Sequence, residues 1–449
     1  MTTLRRILSN SGWWMADRGI ALGATLATHV VLVRSLGPRG FGELSYLLAI
    51  VGLLLPITQL GVAGLLVRAL LEKPDEEQAI LRAALWLRGL GCLLALLVGV
   101  VYWALFDPAA GDRTVLLVLF VAQCATVFQV LEFWFQARMV PGQLVGWRSS
   151  VVLAAAVVKI AVALAGGESG AIALVFAAEY VLLGTAHLVA YRRAAGRWAW
   201  PGPERGWLAW FGRRSPWLLL SGLAEIVYLR IDIVMLERMQ GLEAAGTYAV
   251  AARLSEVWYV VPVMLVAAMF PVMWASRADA ATWDRSLQAG LDVLCGIALV
   301  LAVAMQWLAG PLVIALFGKE YSATVPVLAL HIWAGVFIFM RALLSRWLVA
   351  EDLLRFSLVT HLAGAVINVA GNLVLIPRYG PMGAAAATVV SYAAAGWLAL
   401  FLTNATRPMA FKMTRALLLP LRWRSLAGYA RQGFAALSPA LPGAGRERP

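Results

Sequence analysis

Charged residues are scarce in this chain. Of its 449 residues only 14% are Asp, Glu, Lys or Arg, whereas 62% are hydrophobic. Soluble globular proteins carry about 25% charged residues, so a surface made from this composition would not remain in water. The composition therefore excludes a soluble enzyme or binding module, although the length would suffice for two or three ordinary domains.

The residues that build metal sites and disulfides are also few. The three cysteines, Cys92, Cys124 and Cys295, lie in apolar segments and lack the C-x-x-C spacing of a metal or redox site. The four histidines are scattered, with no metal-ligand spacing among them. We therefore expect no metal and no cofactor, and we interpret the cysteines as small packing residues.

Nucleotide-binding and catalytic loops are missing as well. The chain has no G-x-x-x-x-G-K-[ST] run, which argues against nucleotide hydrolysis. No predicted outer loop exceeds 13 residues, which leaves no room for the carboxylates or metal site of an enzyme acting on a lipid-linked sugar. The pattern favours a transporter over a membrane glycosyltransferase or ligase, and a passive subunit of a synthase complex stays open as an alternative.

What the chain does contain is a series of long apolar runs. Each is long enough to cross ~30 Å of hydrocarbon at ~1.5 Å per residue, and short polar turns separate them. The first run is too long for a signal peptide and lacks a cleavage site, so we expect it to be a span. We predict an all-α membrane protein with twelve transmembrane helices at 11–33, 44–70, 83–106, 114–136, 147–166, 169–190, 216–238, 245–275, 286–309, 323–344, 356–377 and 382–403.

The basic residues are distributed unevenly about these spans. The net charge of +13 comes from 37 Lys and Arg against 24 Asp and Glu. On a soluble chain this excess would indicate a nucleic-acid partner, but here most basic residues fall in alternate loops and in the tail. By the positive-inside rule both termini are cytoplasmic, and we expect no nucleic-acid partner.

The longest polar connection divides the spans into two sets of six. Within it Trp207, Trp210 and Phe211 follow helical spacing between arginines, which predicts a short amphipathic helix at the lipid headgroups. The basic tail contains another such segment at Phe411–Leu421. The predicted division is an N-lobe at 1–190, a cytoplasmic linker at 191–215, a C-lobe at 216–404 and a basic cytoplasmic tail at 405–449.

Ionisable residues also occur deep in several spans, where each costs at least ~2.5–3.5 kcal/mol to insert. Such residues normally face a protein interior or a wet cavity. The candidate substrate-binding cations are Arg18, Lys159, Arg230 and Arg253. The candidate carboxylates, for the cavity or for ion coupling, are Asp17, Glu179, Glu225, Asp232 and Glu256.

Lys159 is the first candidate for a substrate contact. No acidic residue lies within a helical turn of it, so a buried Lys159 must lose its proton or meet an anion. Arg253 and Glu256 can pair across one turn, and Glu225 and Asp232 share a face of the seventh span. For each residue, an internal salt bridge that stabilises the bundle is an equal alternative.

Cations from both halves would line a central cavity suited to an anion such as a diphosphate. Moving a bare diphosphate through hydrocarbon costs on the order of 20 kcal/mol, and a wet basic route removes most of that cost. In a cell that is negative inside, outward movement of negative charge is favourable by ~2.3 kcal/mol per charge per 100 mV. Export would then proceed without ATP.

Four runs of the sequence resemble the oligosaccharide flippase family, the Wzx-type flippases of O-antigen and exopolysaccharide. They are LVRSLGPRGFGELSYLLAIVGLLLPITQLGVAG (32–64), YLRIDIVMLERMQGLEAAGTYAVAARLSE (228–256), LFGKEY with VPVLAL (316–330) and NLVLIPRYGPMGAAAATVVSY (372–392). The resemblance covers nearly the whole chain. It implies the fold of the multidrug/oligosaccharidyl-lipid/polysaccharide exporter superfamily, with two six-helix lobes around a V-shaped cationic cavity, as in MATE transporters.

The same resemblance implies a function. Such a flippase moves an undecaprenyl-diphosphate-linked oligosaccharide from the cytoplasmic to the periplasmic leaflet of a bacterial plasma membrane by alternating access. Its partners would be this polyprenyl-linked glycan, membrane lipids and a polysaccharide polymerase or synthesis complex. Arg18, Arg230, Asp232 and Arg253 stand in or beside the matching runs, whereas Lys159 depends on its own sequence context.

The alternative is a drug/cation antiporter of the same fold. It would need an anionic cavity, so carboxylates rather than Lys159 and Arg230 should face the centre.

Overall fold

The computed structural model describes residues 2–105, 113–196, 202 and 204–422, which form helices and no strand. Residues 197–201 and 203 of the predicted linker (191–215), and the part of the predicted tail beyond residue 422, lie outside the described residues. The helices of the N-terminal half are α1 (Thr2–Leu53), α2 (Leu55–Gln59), α3 (Val62–Glu72), α4 (Glu77–Leu105), α5 (Arg113–Gln123), α6 (Glu132–Arg138), α7 (Gly142–Leu164) and α8 (Ser169–Ala195). Those of the C-terminal half are α9 (Arg205–Gln240), α10 (Leu242–Glu256), α11 (Val260–Ala275), α12 (Ala280–Phe317), α13 (Thr324–His331), α14 (Ala334–Ala350), α15 (Leu354–Gly396) and α16 (Arg407–Leu417).

Nine helical stretches of the described chain are long and apolar enough to cross a membrane. Two of them, Met15–Glu72 and Phe356–Leu402, are 58 and 47 residues long, and each contains a glycine with non-helical backbone angles. The 36-residue α9 is not among the nine and carries several charged residues at the predicted seventh span. The chain is therefore a multi-pass membrane protein, and the number twelve stays a prediction.

The break in α1 is a tight turn. Gly37 has φ 65° and ψ 177°, angles that are inexpensive only for glycine, and Pro38 opens the next helix with its preset φ. The rings of His29 and Phe41 are 5.0 Å apart, although twelve residues of continuous helix would separate them by ~18 Å. The chain therefore folds back at Gly37, and Gly380 interrupts α15 in a similar way.

The apolar cores show how the two halves meet. At the end that carries the Gly37 and Gly380 turns, named the outer end after the predicted topology, one core contains residues of both halves. At the opposite, inner end the cores are separate, one built mainly on α3, α4 and α6 and the other on α12 and α14. The halves therefore share a core at the outer end and have separate cores at the inner end, where the start of α9 crosses to the N-terminal half, and this arrangement matches the predicted V shape.

The segment before the seventh span differs from its prediction. It is not a separate helix, because α9 begins at Arg205 and runs without interruption to Gln240. Phe211 is fully buried in the inner core of the N-terminal half, and Trp207 Nε1 donates a hydrogen bond to Glu76 Oε2 (2.7 Å). The apolar side chains of this segment thus pack against protein, which spacing alone cannot distinguish from a lipid surface.

The described part of the tail is also a docked helix. α16 buries Met409 and Met413 against the C-terminal half, and Lys412 forms an ion pair with Asp284. Phe411, on the opposite side of α16, is exposed. The predicted contact of this segment with anionic lipid stays a prediction.

Candidate substrate cavity

A cavity of about 340 Å³ lies between the two halves. Helices α1, α7 and α8 form its N-terminal wall, and α9 and α10 form its C-terminal wall. Most of the lining is apolar, so charges placed in it interact more strongly than they would in water. Its ionisable residues are His29, Lys159, Glu179, Arg230, Arg253 and Glu256.

Two arginines converge on one carboxylate in the C-terminal wall. Arg253 and Glu256 lie three residues apart on α10, with Nη1 and Oε2 separated by 3.6 Å, as the helical spacing predicts. Arg230 approaches the same carboxylate from α9, with Nη1 3.3 Å from Oε1. Glu256 therefore holds two guanidinium groups side by side that would otherwise repel each other.

A lysine pair occupies the N-terminal wall. Lys159 Nζ on α7 lies 2.5 Å from Glu179 Oε2 on α8, and it also lies 3.6 Å from the centre of the Phe176 ring. Lys159 thus meets an anion within the protein, which is the internal salt bridge that the sequence allowed as the alternative to a substrate contact. The partner comes from the neighbouring helix, where sequence spacing on α7 cannot reveal it.

The charges of the cavity do not cancel. Three cations, Lys159, Arg230 and Arg253, face two carboxylates, Glu179 and Glu256, so three minus two leaves one positive charge. The Arg253 side chain is 44% exposed, whereas the Lys159 side chain is 7% exposed. An incoming anion would meet Arg253 first, while an incoming cation would find both carboxylates already bound.

Arg18 lies outside the cavity but on the same side of α1. Its side chain is exposed, and it is one turn before Leu22, which lines the cavity with Thr25 and His29. Residues at this spacing share a helix face. Arg18 therefore lies toward the inner end of the path that leads to the cavity.

Asp17 is buried within the N-terminal half instead of lining the cavity. Its carboxylate accepts a hydrogen bond from Ser149 Oγ (3.2 Å) and lies 3.3 Å from Arg148 Nη1. Asp17 therefore forms an internal salt bridge, which is the alternative to a cavity role that the sequence allowed for each such residue. Asp17 connects α1 to α7.

Asp232 and Glu225 also lie outside the cavity lining. Asp232 is fully buried in the C-terminal half, where its carboxylate accepts hydrogen bonds from Tyr248 (2.6 Å), Thr388 (2.8 Å) and Asn372. Glu225 is exposed at another position on α9. The face predicted to hold both carboxylates thus turns away from the centre, and Arg230 occupies the cavity side of α9.

Sequence reasoning missed the part that α1 plays in the cavity. The histidines were assessed only for metal-ligand spacing, yet His29 lines the cavity. Thr25 and Leu32 share its face of α1 and line the cavity too. The sequence does contain a pattern that could have indicated this face, because the two polar residues recur at helical spacing within an apolar span.

Glycines close the outer end by direct backbone contact. A Cβ atom on Gly42 would lie 1.9 Å from the Leu242 carbonyl oxygen, and one on Gly246 would lie 2.0 Å from that of Pro38. Only glycine permits such an approach of α1 to α10. The outer turns of the two halves are therefore in close contact.

Each half also extends one arginine into the other at this end. Arg34 donates hydrogen bonds of 2.6 Å to the carbonyl oxygens of Ala315 and Leu316, in the last turn of α12, where backbone acceptors lack helical partners. Arg238 in turn donates to the hydroxyl of Tyr46 (3.0 Å). These contacts close the cavity toward the outer end.

The sequence has relatives of known role. It matches the profile of the family described as Polysaccharide biosynthesis protein over residues 7–276, about three fifths of the chain. It is 23% identical over 346 residues to the succinoglycan biosynthesis transport protein ExoT of Rhizobium meliloti (strain 1021). That alignment covers 73% of this chain and 65% of ExoT, so this chain spans less than two thirds of that relative.

Solved structures resemble this one over most of its length. Lipid II flippase MurJ in an inward closed conformation has a TM-score of 0.66 at 13% identity, covering 92% of this chain and 91% of MurJ. An inward-facing multidrug resistance MATE transporter of the MOP superfamily has a TM-score of 0.67 at 14% identity, covering 89% and 99%. At such identities the likeness establishes the fold, and the predicted MATE-like all-α architecture is confirmed.

The family match extends over more than half of the chain, and the helices follow the MurJ and MATE architecture. The chain therefore belongs to the polysaccharide biosynthesis protein family, and its fold is that of the MurJ and MATE transporters.

Proposed function

We propose that this protein moves an undecaprenyl-diphosphate-linked oligosaccharide from the cytoplasmic to the outer leaflet of a bacterial plasma membrane, by alternating access, for cell-surface polysaccharide synthesis. The observation that carries the proposal is that Lys159, Arg230 and Arg253, contributed by both halves, line one cavity that is closed at its outer end. The relatives named as a transport protein and a flippase support the same class.

The arrangement of the arginines suits a diphosphate. Arg230 and Arg253 lie 3.3 and 3.6 Å from Glu256, longer than the ~2.7–2.9 Å of a well-formed charge-assisted hydrogen bond. A phosphate group offers several anionic oxygens to a guanidinium fork and can take the place of the single carboxylate. Glu256 would then keep the empty site neutralised and oriented until substrate arrives.

Binding from both walls would drive the conformational change. A headgroup held by Arg253 on one wall and Lys159 on the other draws the two halves together where their inner cores are now separate. The inner end then closes while the outer turns separate, and the polyprenyl tail stays in the bilayer. Substrate can shift this equilibrium only by binding the second state more tightly.

The drug/cation antiporter remains the second candidate. In it a cavity carboxylate must be free to take a cation, whereas Glu179 and Glu256 each contact a basic side chain. For such an antiporter we assign ion coupling to Asp232. Its carboxylate is buried among three neutral hydrogen-bond donors and has no cationic partner among the described ion pairs. A proton or a monovalent cation would be its ligand.

Deletion of the gene separates these candidates. The flippase proposal predicts loss of surface polysaccharide, with lipid-linked precursor accumulating in the inner leaflet. Unchanged polysaccharide together with altered drug tolerance would instead identify an antiporter.

Complementation of the deletion strain tests the cavity. Arg230→Gln and Lys159→Gln should each restore less than about a tenth of the wild-type polysaccharide at normal protein abundance, because each loses a charge-assisted contact to the headgroup. Arg68→Gln is the matched control, since Arg68 is an exposed residue that pairs with Glu72. Full restoration by both cavity variants would contradict the proposal, and loss of the protein would assign the residues to structure.

A further inference from the structure

His29 lines the cavity toward its outer end. It lies on α1 eight residues before the Gly37 turn and contributes to the lining. Its ring makes edge contacts with Phe41 of the N-terminal half (centroids 5.0 Å apart) and with Phe317 at the end of α12 in the C-terminal half (6.0 Å). His29 therefore stands between the cavity and the outer core that joins the halves.

One nitrogen of this ring is left without a partner. His29 Nε2 is sealed from water and makes no hydrogen bond. Among the partnerless buried polar atoms of the described side chains, it is the one that belongs to the cavity lining. A buried nitrogen without a hydrogen-bond partner is energetically unfavourable. An oxygen atom within hydrogen-bond distance of Nε2 would therefore be bound favourably.

The surroundings identify the kind of oxygen. Arg253 and Glu256 line the same cavity as His29. Arg253 is the most exposed of the three cavity cations that form ion pairs, with 44% of its side chain accessible, against 22% for Arg230 and 7% for Lys159. An anionic oxygen bound to Arg253 therefore lies in the cavity that His29 lines.

We propose that His29 senses the arrival of the diphosphate, an inference that rests on the proposed function. When a phosphate oxygen is held by Arg253, the imidazole turns so that Nε2–H donates a hydrogen bond to it. Because Nε2 is enclosed while the ring rests between Phe41 and Phe317, this turn breaks the aromatic contacts between the halves. Headgroup binding thereby loosens the outer closure, and a carrier lipid without phosphate leaves it intact.

Two substitutions separate hydrogen bonding from packing. His29→Phe keeps a ring between Phe41 and Phe317 but removes the polar atom. His29→Gln removes the ring but keeps a donor near the position of Nε2. A sensing role requires the Gln variant to bind the headgroup as wild type does, whereas a packing role requires the Phe variant to do so.

The measurements use the full chain in lipid nanodiscs, with undecaprenyl diphosphate as the probe and undecaprenol as its phosphate-free counterpart. Spin labels at Arg39→Cys and Glu243→Cys, exposed positions beside the outer turns of the two halves, report their separation after the three native cysteines are replaced. We expect undecaprenyl diphosphate to lengthen the wild-type distance. His29→Phe should bind it at least about tenfold more weakly, without lengthening, and His29→Gln should stay within about threefold of wild type.

The outcomes distinguish the inference from the function beneath it. His29→Phe with wild-type affinity and wild-type lengthening overturns the sensing role, as does His29→Gln that fails while His29→Phe succeeds. Loss of binding in both variants at unchanged thermal stability also overturns it, because the retained donor should suffice. A wild-type protein that does not distinguish undecaprenyl diphosphate from undecaprenol would contradict the proposed function itself.

Discussion

At the scale of residues, the basic side chains that line the cavity form ion pairs with carboxylates. Lys159 is held by Glu179, and Arg230 and Arg253 share Glu256. Each pair limits the cost of placing a charge in an apolar wall, and each leaves its cation able to exchange partners. Both arginines lie more than 3 Å from the Glu256 carboxylate, whereas Lys159 lies 2.5 Å from Glu179. An incoming anion should therefore displace Glu256 more easily than Glu179.

Removal of the Glu256 charge should therefore change binding and turnover in opposite directions. Glu256→Gln leaves both guanidinium groups without a competing anion, so we expect at least about fivefold tighter binding of undecaprenyl diphosphate and slower release, with less polysaccharide formed. Titration in nanodiscs and complementation of the deletion strain measure the two effects.

Glu351→Gln is the control for this prediction, since Glu351 pairs with Arg277 near the inner end of the C-terminal half. Weaker binding by Glu256→Gln would mean that the carboxylate orients the arginines for substrate instead of competing with it.

At the scale of elements, the contact between the outer turns decides which end of the cavity is closed. α1 and α10 approach at Gly42 and Gly246, where any side chain would meet a backbone carbonyl. Arg34 and Arg238 reinforce this contact with hydrogen bonds between the halves. Backbone contacts cannot adjust as a flexible side chain does, so the closure depends on the absence of two Cβ atoms.

A single methyl group at this contact should open the outer end. Gly246→Ala places a Cβ where only 2.0 Å separates it from the Pro38 carbonyl oxygen, so the turns must separate. We expect the spin-label distance between Arg39→Cys and Glu243→Cys to lengthen without any ligand. Gly52→Ala, whose added Cβ has no neighbour within 4 Å, is the control and should leave the distance unchanged. An unchanged distance in Gly246→Ala would contradict this prediction, because it would show that the contact accommodates a Cβ atom without separation of the turns.

At the scale of the whole molecule, the two halves are joined at the outer end of the predicted topology and separate toward the inner end. One core crosses between them at the outer end, and two separate cores stabilise the inner end. The excess of positive charge in the cavity favours an anionic ligand, and under the proposed function the membrane potential acts on the charge of that ligand.

Outward transport should consequently follow the membrane potential. An interior-negative potential favours outward movement of a headgroup by ~2.3 kcal/mol per charge per 100 mV, so we expect faster flux when the potential is imposed and slower flux when it is collapsed. Proteoliposomes with a potassium gradient and valinomycin, and a fluorescent undecaprenyl-diphosphate disaccharide quenched from outside, measure this rate. Flux that ignores the potential but follows a proton or sodium gradient would instead assign the coupling to a carboxylate such as Asp232.

The sequence by itself determined the class of protein, the long apolar helices and the family, because composition and apolar run length are local properties. It also identified five of the six ionisable residues of the cavity, since charges in an apolar span are conspicuous wherever they occur. Only the tertiary structure decided which of them meet. Glu179 reaches Lys159 from another helix. The Asp232 carboxylate is buried within the C-terminal half, whereas Arg230 faces the cavity. The start of α9 packs on protein instead of lipid. The rotation of each helix about its axis is set by the helices packed against it, and a sequence read along one helix contains no information about those neighbours.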